Sequence, residues 1–429
     1  MERRSTAQVL RLTEFAYAVI ALFALTQGPV YQIWKYSAQR EGTLPSPSIP
    51  FVYFATFLAL QAPAAALFVR RVRDTWLAER RNIALIVLLA WLGLSVLWST
   101  FARQSLPEFV ALVATALFGA YLATSFTVRQ FWWIVAASMS LGVGLSWVSV
   151  MRLWDGAYNF REGYWIGIYL NRNSLAPVAT IAIVAVVGVL VSESRSFRKN
   201  PLRSLLFVAV PVLTLAVLAC IEVWKSESQT SPAALAAASV TVVVWLVLRW
   251  IFSRVKFLVR LVPFAAPVTL VLLGAALLAV IMALPSATTV SADIATLNSR
   301  RVFWSQSWLG ILEKPWIGWG WMAAWRNPEF FRLGFPPPEW VNSWSHNGYH
   351  DVVLGGGIVA GLIFCVYLLL GWSAMRRSVT HVASLDMMLA AFVVVAATQE
   401  SFFVGSNFLW ALLIAALARP SLVDEQYAR

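Results

Sequence analysis

The apolar positions of this chain do not alternate with polar ones. They gather in continuous runs separated by short polar, basic stretches. A helix needs about 20 consecutive apolar residues to cross a bilayer. Twelve runs approach that length, near 12–30, 50–70, 83–100, 106–125, 131–151, 174–192, 203–223, 231–250, 261–284, 351–373, 384–400 and 404–418. Membrane barrels are read instead as segments of about ten alternating residues. The pattern therefore predicts an all-α integral membrane protein of about twelve transmembrane helices, a single polytopic domain over 1–429. Gln399, Glu400, Ser401 and Gly405 separate the last two runs, which read as one hairpin or as one long broken helix. Pro63, Pro177, Pro211 and Pro267 fall inside runs; membranes tolerate this because neighbouring groups satisfy the freed backbone.

Composition removes the soluble alternative. The chain is 60% hydrophobic and 12% charged, where soluble domains carry about 25% charged residues. A net charge of +13 raises the question of nucleic acid, but the basic residues sit in short loops between apolar runs, so no nucleic-acid partner is expected. With the N-terminus inside, 21 of the 33 Lys and Arg fall in cytoplasmic segments. This bias sets orientation and puts both termini in the cytoplasm. The first run lacks a small-residue cleavage site and reads as an uncleaved helix. Cys220 and Cys365 lie inside apolar runs and read as buried small hydrophobes.

Two outer loops stand out, a smaller one over 152–172 and a large one over 286–349. The large loop holds Trp304, Trp308, Trp316, Trp319, Trp321, Trp325, Trp340 and Trp344, with the run Pro336-Pro337-Pro338. Loops of this length are functional or disordered, and this one is too aromatic for disorder. Its segment "SRRVFWSQSWLGILEKP" has helical spacing and a Pro stop. Short amphipathic helices lying in the interface are expected there.

Candidate chemistry concentrates at these loops. "SWSHNGYHDVVLGGGIVAGL", residues 343–362, places His346 and His350 four apart, on one helix face if helical. Three readings stand. A zinc site is one, but no third ligand or H-E-x-x-H pattern accompanies it. Interfacial histidines satisfied by backbone or headgroups are the second. A base for an acceptor hydroxyl is the third. Gly355, Gly356, Gly357 and Gly361 follow, and such glycines allow close helix packing in lipid. Arg161, Arg172, Arg300, Arg301, Arg326 and Arg332 lie in the outer loops. Headgroup contact or snorkelling accounts for Arg326 and Arg332. Arg172 and the Arg300-Arg301 pair have the fork geometry to hold a pyrophosphate. The outer loops carry no dense carboxylate cluster of the kind Mg²⁺ takes, so arginine rather than metal is expected to neutralise phosphate. Glu400 lies at or near membrane depth, which marks it either as functional or as an arginine's structural partner.

These segments resemble the O-antigen ligase family of bacterial inner membranes. His346-Asn347, nine residues, then Gly357 is similar to the family's His-[Asn/Ser/Gln]-x9-Gly pattern, although Ala360 departs from its tail. "GIYLNRNSLAP" resembles a second motif, aligning Arg172 and Asn173. "SRRVFWSQSWLGILEKPWIGWGW" resembles a third, aligning Arg300, Trp304, Pro315, Gly318 and Gly320, with Ser299 in place of a glycine. The resemblance implies a GT-C-like glycosyltransferase architecture. It implies transfer of O-antigen glycan from undecaprenyl pyrophosphate to a sugar of the lipid A-core oligosaccharide on the periplasmic face, without metal or cofactor and with inversion. His346 would be catalytic. Arg172, Arg300, Arg161 and Arg301 would bind pyrophosphate. Asn173, Asn347, His350, Trp304 and Glu400 would support them, and membrane lipids would surround the whole. Polymerases and protein O-oligosaccharyltransferases of the same superfamily share the donor; one dominant loop and a short tail favour the ligase. A secondary transporter or a lipid-linked glycan flippase is the rival of another class. Matching halves and charges along a central path would mark those proteins, and neither is seen here.

Overall fold

A computed structural model describes residues 2–33, 51–72, 76, 79–254, 293–334, 344–377 and 381–419. The expected run at 261–284, with Pro267, lies outside them, as do Pro336-Pro337-Pro338 and Trp340. Among the described residues the regular structure is helical, apart from an isolated antiparallel bridge between Tyr158 and Trp165.

The principal helices are α1 (Glu2–Leu25), α2 (Phe51–Arg71), α3 (Arg80–Leu94), α4 (Ala102–Ser125), α5 (Val128–Met151), α6 (Arg172–Ser192), α7 (Val210–Lys225), α8 (Thr230–Arg254), α9 (Asp293–Glu313), α10 (Gly348–Arg377), α11 (His381–Ala396) and α12 (Phe408–Ala418). Eight stretches among the described residues are long and apolar enough to cross a membrane: Gln8–Leu25, Arg80–Trp98, Ala102–Ser125, Val128–Met151, Arg172–Ser192, Pro201–Lys225, Thr230–Val247 and Gly348–Met375. Each falls on an expected run. Ser384–Ala396 and Phe408–Ala418 are shorter apolar helices. They form a hairpin joined through 397–407, which settles the alternative left open for the end of the chain. Its two arms are pinned at their far ends, where Arg419 pairs with Asp386 at 3.5 Å.

Contacts sort the helix ends into two sets. At one end Arg129 pairs with Glu193 at 2.5 Å, Arg71 pairs with Glu14, and Arg81 donates to the Ala418 carbonyl at 3.0 Å. At the other end the Trp165 amide donates to the Lys225 carbonyl at 2.9 Å, the Tyr169 hydroxyl reaches Thr26 Oγ1 at 3.4 Å, and the Gly348 amide donates to the Ala397 carbonyl at 2.8 Å. The first is a basic end. The second gathers both outer loops.

At the basic end Glu193 is buried, and it accepts from Trp133 Nε1 at 2.8 Å and Ser196 Oγ at 2.7 Å besides Arg129. Burial pushes its carboxyl up; the bonds from Trp133, Arg129 and Ser196 outweigh that and hold it below the ordinary carboxylate range. A lowered folded-state pKa contributes stability above the unfolded value of about 4.3 and loses it as pH falls. Glu193→Gln is therefore expected to lower the unfolding temperature at pH 7, with the gap to wild type closing below about pH 4. A melting series in detergent from pH 3 to 8 checks this.

The cysteine expectation is corrected. Cys220 and Cys365 are both exposed. Outside the bundle the solvent is also apolar, so an apolar run does not put its small residues in the interior.

Candidate functional site

The site begins with α9. This helix buries Phe303, Gln306, Ser307, Gly310 and Ile311 on one side, where they meet Trp325, Phe330 and Leu354. Gly310 is required because a Cβ there would strike the Phe330 ring. That packing holds Arg300, near the start of the helix, at the outer-loop end of the bundle.

The chain after α9 is held by a break in α10. Gly357 sits at φ 71, ψ −175 inside α10 and divides it. The strap 315–320 docks into the gap: Trp319 and Gly320 amides donate to the Leu354 and Gly355 carbonyls at 2.7 and 3.1 Å, and the Ile358 amide donates to the Pro315 carbonyl at 2.7 Å. Trp91 Nε1 takes the remaining Gly356 carbonyl at 2.7 Å. The Gly355-Gly356-Gly357 run therefore admits a loop, where helix–helix packing was expected. A membrane-buried break demands it, because each freed backbone group needs a partner. Pro315, Gly318 and Gly320 of the third motif belong to this strap.

His346 lies just before α10, in a left-handed conformation at φ 52. The His346–His350 pair therefore does not share a helix face, and the i, i+4 ligand geometry is lost. The neighbours of His346 lock it in place. Ser345 donates to Asp351 Oδ1 through its hydroxyl at 2.6 Å and its amide at 3.0 Å. Asn347 Oδ1 caps α10, accepting from the Tyr349 and His350 amides at 3.0 and 3.2 Å, and its Nδ2 donates to the Thr398 carbonyl at 3.1 Å. Those bonds lay the residues before α10 against the α11–α12 connection, which presents Gln399 and Glu400.

Glu400 then bridges two elements far apart in sequence. Its Oε1 accepts from Arg300 Nη2 at 2.5 Å, and its Oε2 lies 3.0 Å from His346 Nδ1. Gln399 Oε1 accepts from Arg300 Nη1 at 3.4 Å. The Phe303 ring lies 5.5 Å from the His346 ring. Both readings of Glu400 thus meet in one side chain: it partners an arginine, and it sits with the candidate base. Trp304 and His350 stand beside this cluster, rings 6.5 Å apart and edge to face. His350 is half-buried, and its Nδ1 is buried with no hydrogen-bond partner. Arg301 follows Arg300 on α9; its side chain lies outside the described set.

The second loop forms its own station at the same end. Asn171 caps α6, accepting from the Ser174 amide at 3.0 Å. Arg172, the first residue of α6, lies over the Tyr164 ring, 4.6 Å from its centroid. Asn173 Oδ1 accepts from Ser228 at 3.0 Å, which ties α6 to the α7–α8 turn. Arg161 is exposed in a turn organised by Asn159, whose Oδ1 takes the Arg161 amide at 3.0 Å. Arg326, read from sequence as a headgroup contact, instead pairs with Glu108 of α4 at 3.3 Å and fastens the large loop to the bundle.

Sequence reasoning missed Gln399, the Ser345–Asp351 bracket and the role of the strap. The polar run Thr398-Gln399-Glu400-Ser401 inside apolar sequence was the available signal. Among the described residues no three His, Cys, Asp or Glu side chains come together as metal ligands.

Fold and site define a helical integral membrane protein with an ion-paired Arg–Glu–His cluster at one end of its bundle. Residues 214–365 match the O-Antigen ligase family model. The match runs from α7 into α10 and takes in Arg300 and His346, so this part of the chain is similar to the O-antigen ligase family. No curated protein matches the chain.

Proposed function

We propose that the protein transfers a glycan from undecaprenyl pyrophosphate to a sugar of lipid A-core at this cluster, on the periplasmic face of the bacterial inner membrane. The similarity of residues 214–365 to the O-antigen ligase family supports the enzyme class. The observation that carries the site is Glu400 bridging Arg300 and His346, at 2.5 and 3.0 Å. In the tautomer with a proton on Nδ1, Glu400 accepts that proton's hydrogen bond and the lone pair lies on Nε2, the arrangement in which a carboxylate orients a histidine base. Nε2 takes the proton of the acceptor hydroxyl. The hydroxyl oxygen bonds to the anomeric carbon, and the bond from that carbon to the diphosphate oxygen breaks. Undecaprenyl diphosphate leaves with the electron pair. Arg300 retains donors beyond the two engaged with Gln399 and Glu400, and guanidinium donors stabilise the leaving charge. Arg172 is assigned the same role from the second loop, with Arg161 or Arg301 assisting.

Charge supports this assignment of the face. The basic helix ends lie opposite the cluster, and basic ends stay in the cytoplasm. One dominant loop supports a ligase over a polymerase.

The deciding experiment incubates purified protein in detergent with lipid-linked glycan and lipid A-core. Detergent removes any vectorial transport but leaves transfer intact. Appearance of glycan on lipid A-core is expected. Glycan joined only to further lipid-linked glycan would make the protein a polymerase, and no product would remove the enzyme reading. In the same assay Glu400→Gln, which keeps the shape but loses the charge, is expected to lower kcat by about 100-fold, the lower end of what a positioned base contributes.

A further inference from the structure

A row of side chains at fourfold spacing on α9 runs from the ionic cluster to an exposed apolar end. Arg300, Trp304, Trp308 and Leu312 follow one another, each one turn further along and about 40° further round the helix. That winding carries the row away from the cluster and outward. Arg300 and Trp304 are partly buried, while Trp308 is 57%, Leu312 59% and Trp316 68% exposed. A helix on an aqueous surface turns polar side chains outward. Here the outward side carries large apolar ones in sequence, more than the single scattered apolar residues normal for a surface. The far end of the row meets a spanning helix: Trp98, just after α3, donates through Nε1 to the Ile317 carbonyl at 3.1 Å. Leu94 and Leu97, at that end of α3, are 50% and 80% exposed. The row therefore joins a guanidinium to the lipid-facing surface of the bundle.

We propose that this row is the track for the polyprenyl chain of the donor, with its diphosphate at Arg300 and its isoprene units laid over Trp304, Trp308, Leu312 and Trp316. The inference rests on the transfer reading above and adds to it where the donor lies. One cationic end and one apolar line of about 18 Å from Arg300 to Leu312 match a lipid with a single linear chain. A lipid with several acyl chains needs a broad surface, which a single row does not offer. The exposed end leaves the chain free to enter sideways from the bilayer.

The test uses the full-length protein in detergent with lipid A-core and two donors carrying the same glycan, one on undecaprenyl diphosphate and one on geranyl diphosphate, whose chain is too short to reach Leu312. The variant is Leu312→Ser with Trp316→Ser. Its KM for the undecaprenyl donor is expected to rise about tenfold, the effect of losing burial of large apolar side chains. Its kinetics with the geranyl donor should match wild type, which also shows that the variant is folded. Equal losses with both donors, or none with either, would make these residues membrane anchors and overturn the track. Failure of wild type to transfer from either donor would remove the transfer reading itself, and the track with it.

Discussion

His346→Ala is expected to leave an inserted, folded protein whose transfer rate falls by about 10³-fold, within the range that a positioned general base contributes. The imidazole stands 3.0 Å from Glu400, on a segment that Ser345 ties to Asp351 and Asn347 ties to the Thr398 carbonyl. Removing the ring deletes the proposed proton acceptor and keeps the pairing of Glu400 with Arg300. A second substitution separates chemistry from backbone. His346 sits at φ 52, where a residue with a Cβ costs about 1 kcal/mol or more and glycine does not. His346→Gly should be inactive yet at least as stable as wild type. Melting temperature and turnover measured on one preparation check both halves. Full activity in either variant would take His346 out of the mechanism.

Gly357→Ala is expected to cost more than about 3 kcal/mol of stability. Its backbone lies in a region essentially reserved for glycine, at φ 71, ψ −175. A Cβ would also collide with the Trp316 carbonyl of the strap. The strap would undock, leaving the Leu354 and Gly355 carbonyls without their donors at membrane depth, and α9 would lose the anchor that keeps Arg300 facing Glu400. Activity should therefore fall along with the melting temperature, and proteolysis should cut near Trp316. Gly144→Ala is the control. Nothing lies within 4 Å of a Cβ at Gly144, which is inside α5, so alanine there should be neutral or slightly stabilising. Equal melting temperatures for the two variants would mean that the break in α10 does not hold the strap.

The two predictions differ in how much of their basis was legible in sequence. His346 was visible as a motif residue after a long outer loop. Its partner was not. Glu400 lies 54 residues beyond it, and local sequence carries no information on which outer arginine an isolated acid will meet. The glycine run was visible as glycines, and packing against a helix was the natural expectation in lipid. What they admit is a segment about forty residues earlier in the chain, and only the hydrogen bonds from Trp319, Gly320 and Ile358 reveal it. Arg326 was assigned to headgroups for the same reason, since Glu108 is distant in sequence. Cys220 and Cys365 failed differently: sequence separates apolar from polar, but a bilayer protein is apolar on its outside as well as its inside.

The sequence by itself determined the helical membrane class, the approximate positions of the spanning runs, and two loops rich in arginine and tryptophan. These follow from transfer free energies summed over one segment at a time, which need no knowledge of neighbours. The tertiary structure alone decided that Arg300, Glu400 and His346 meet, that the last two helices form a hairpin, and that α10 is broken to receive a strap. Those outcomes depend on pairing polar groups from distant segments inside a medium that offers no water. Such pairing is a property of the packed bundle.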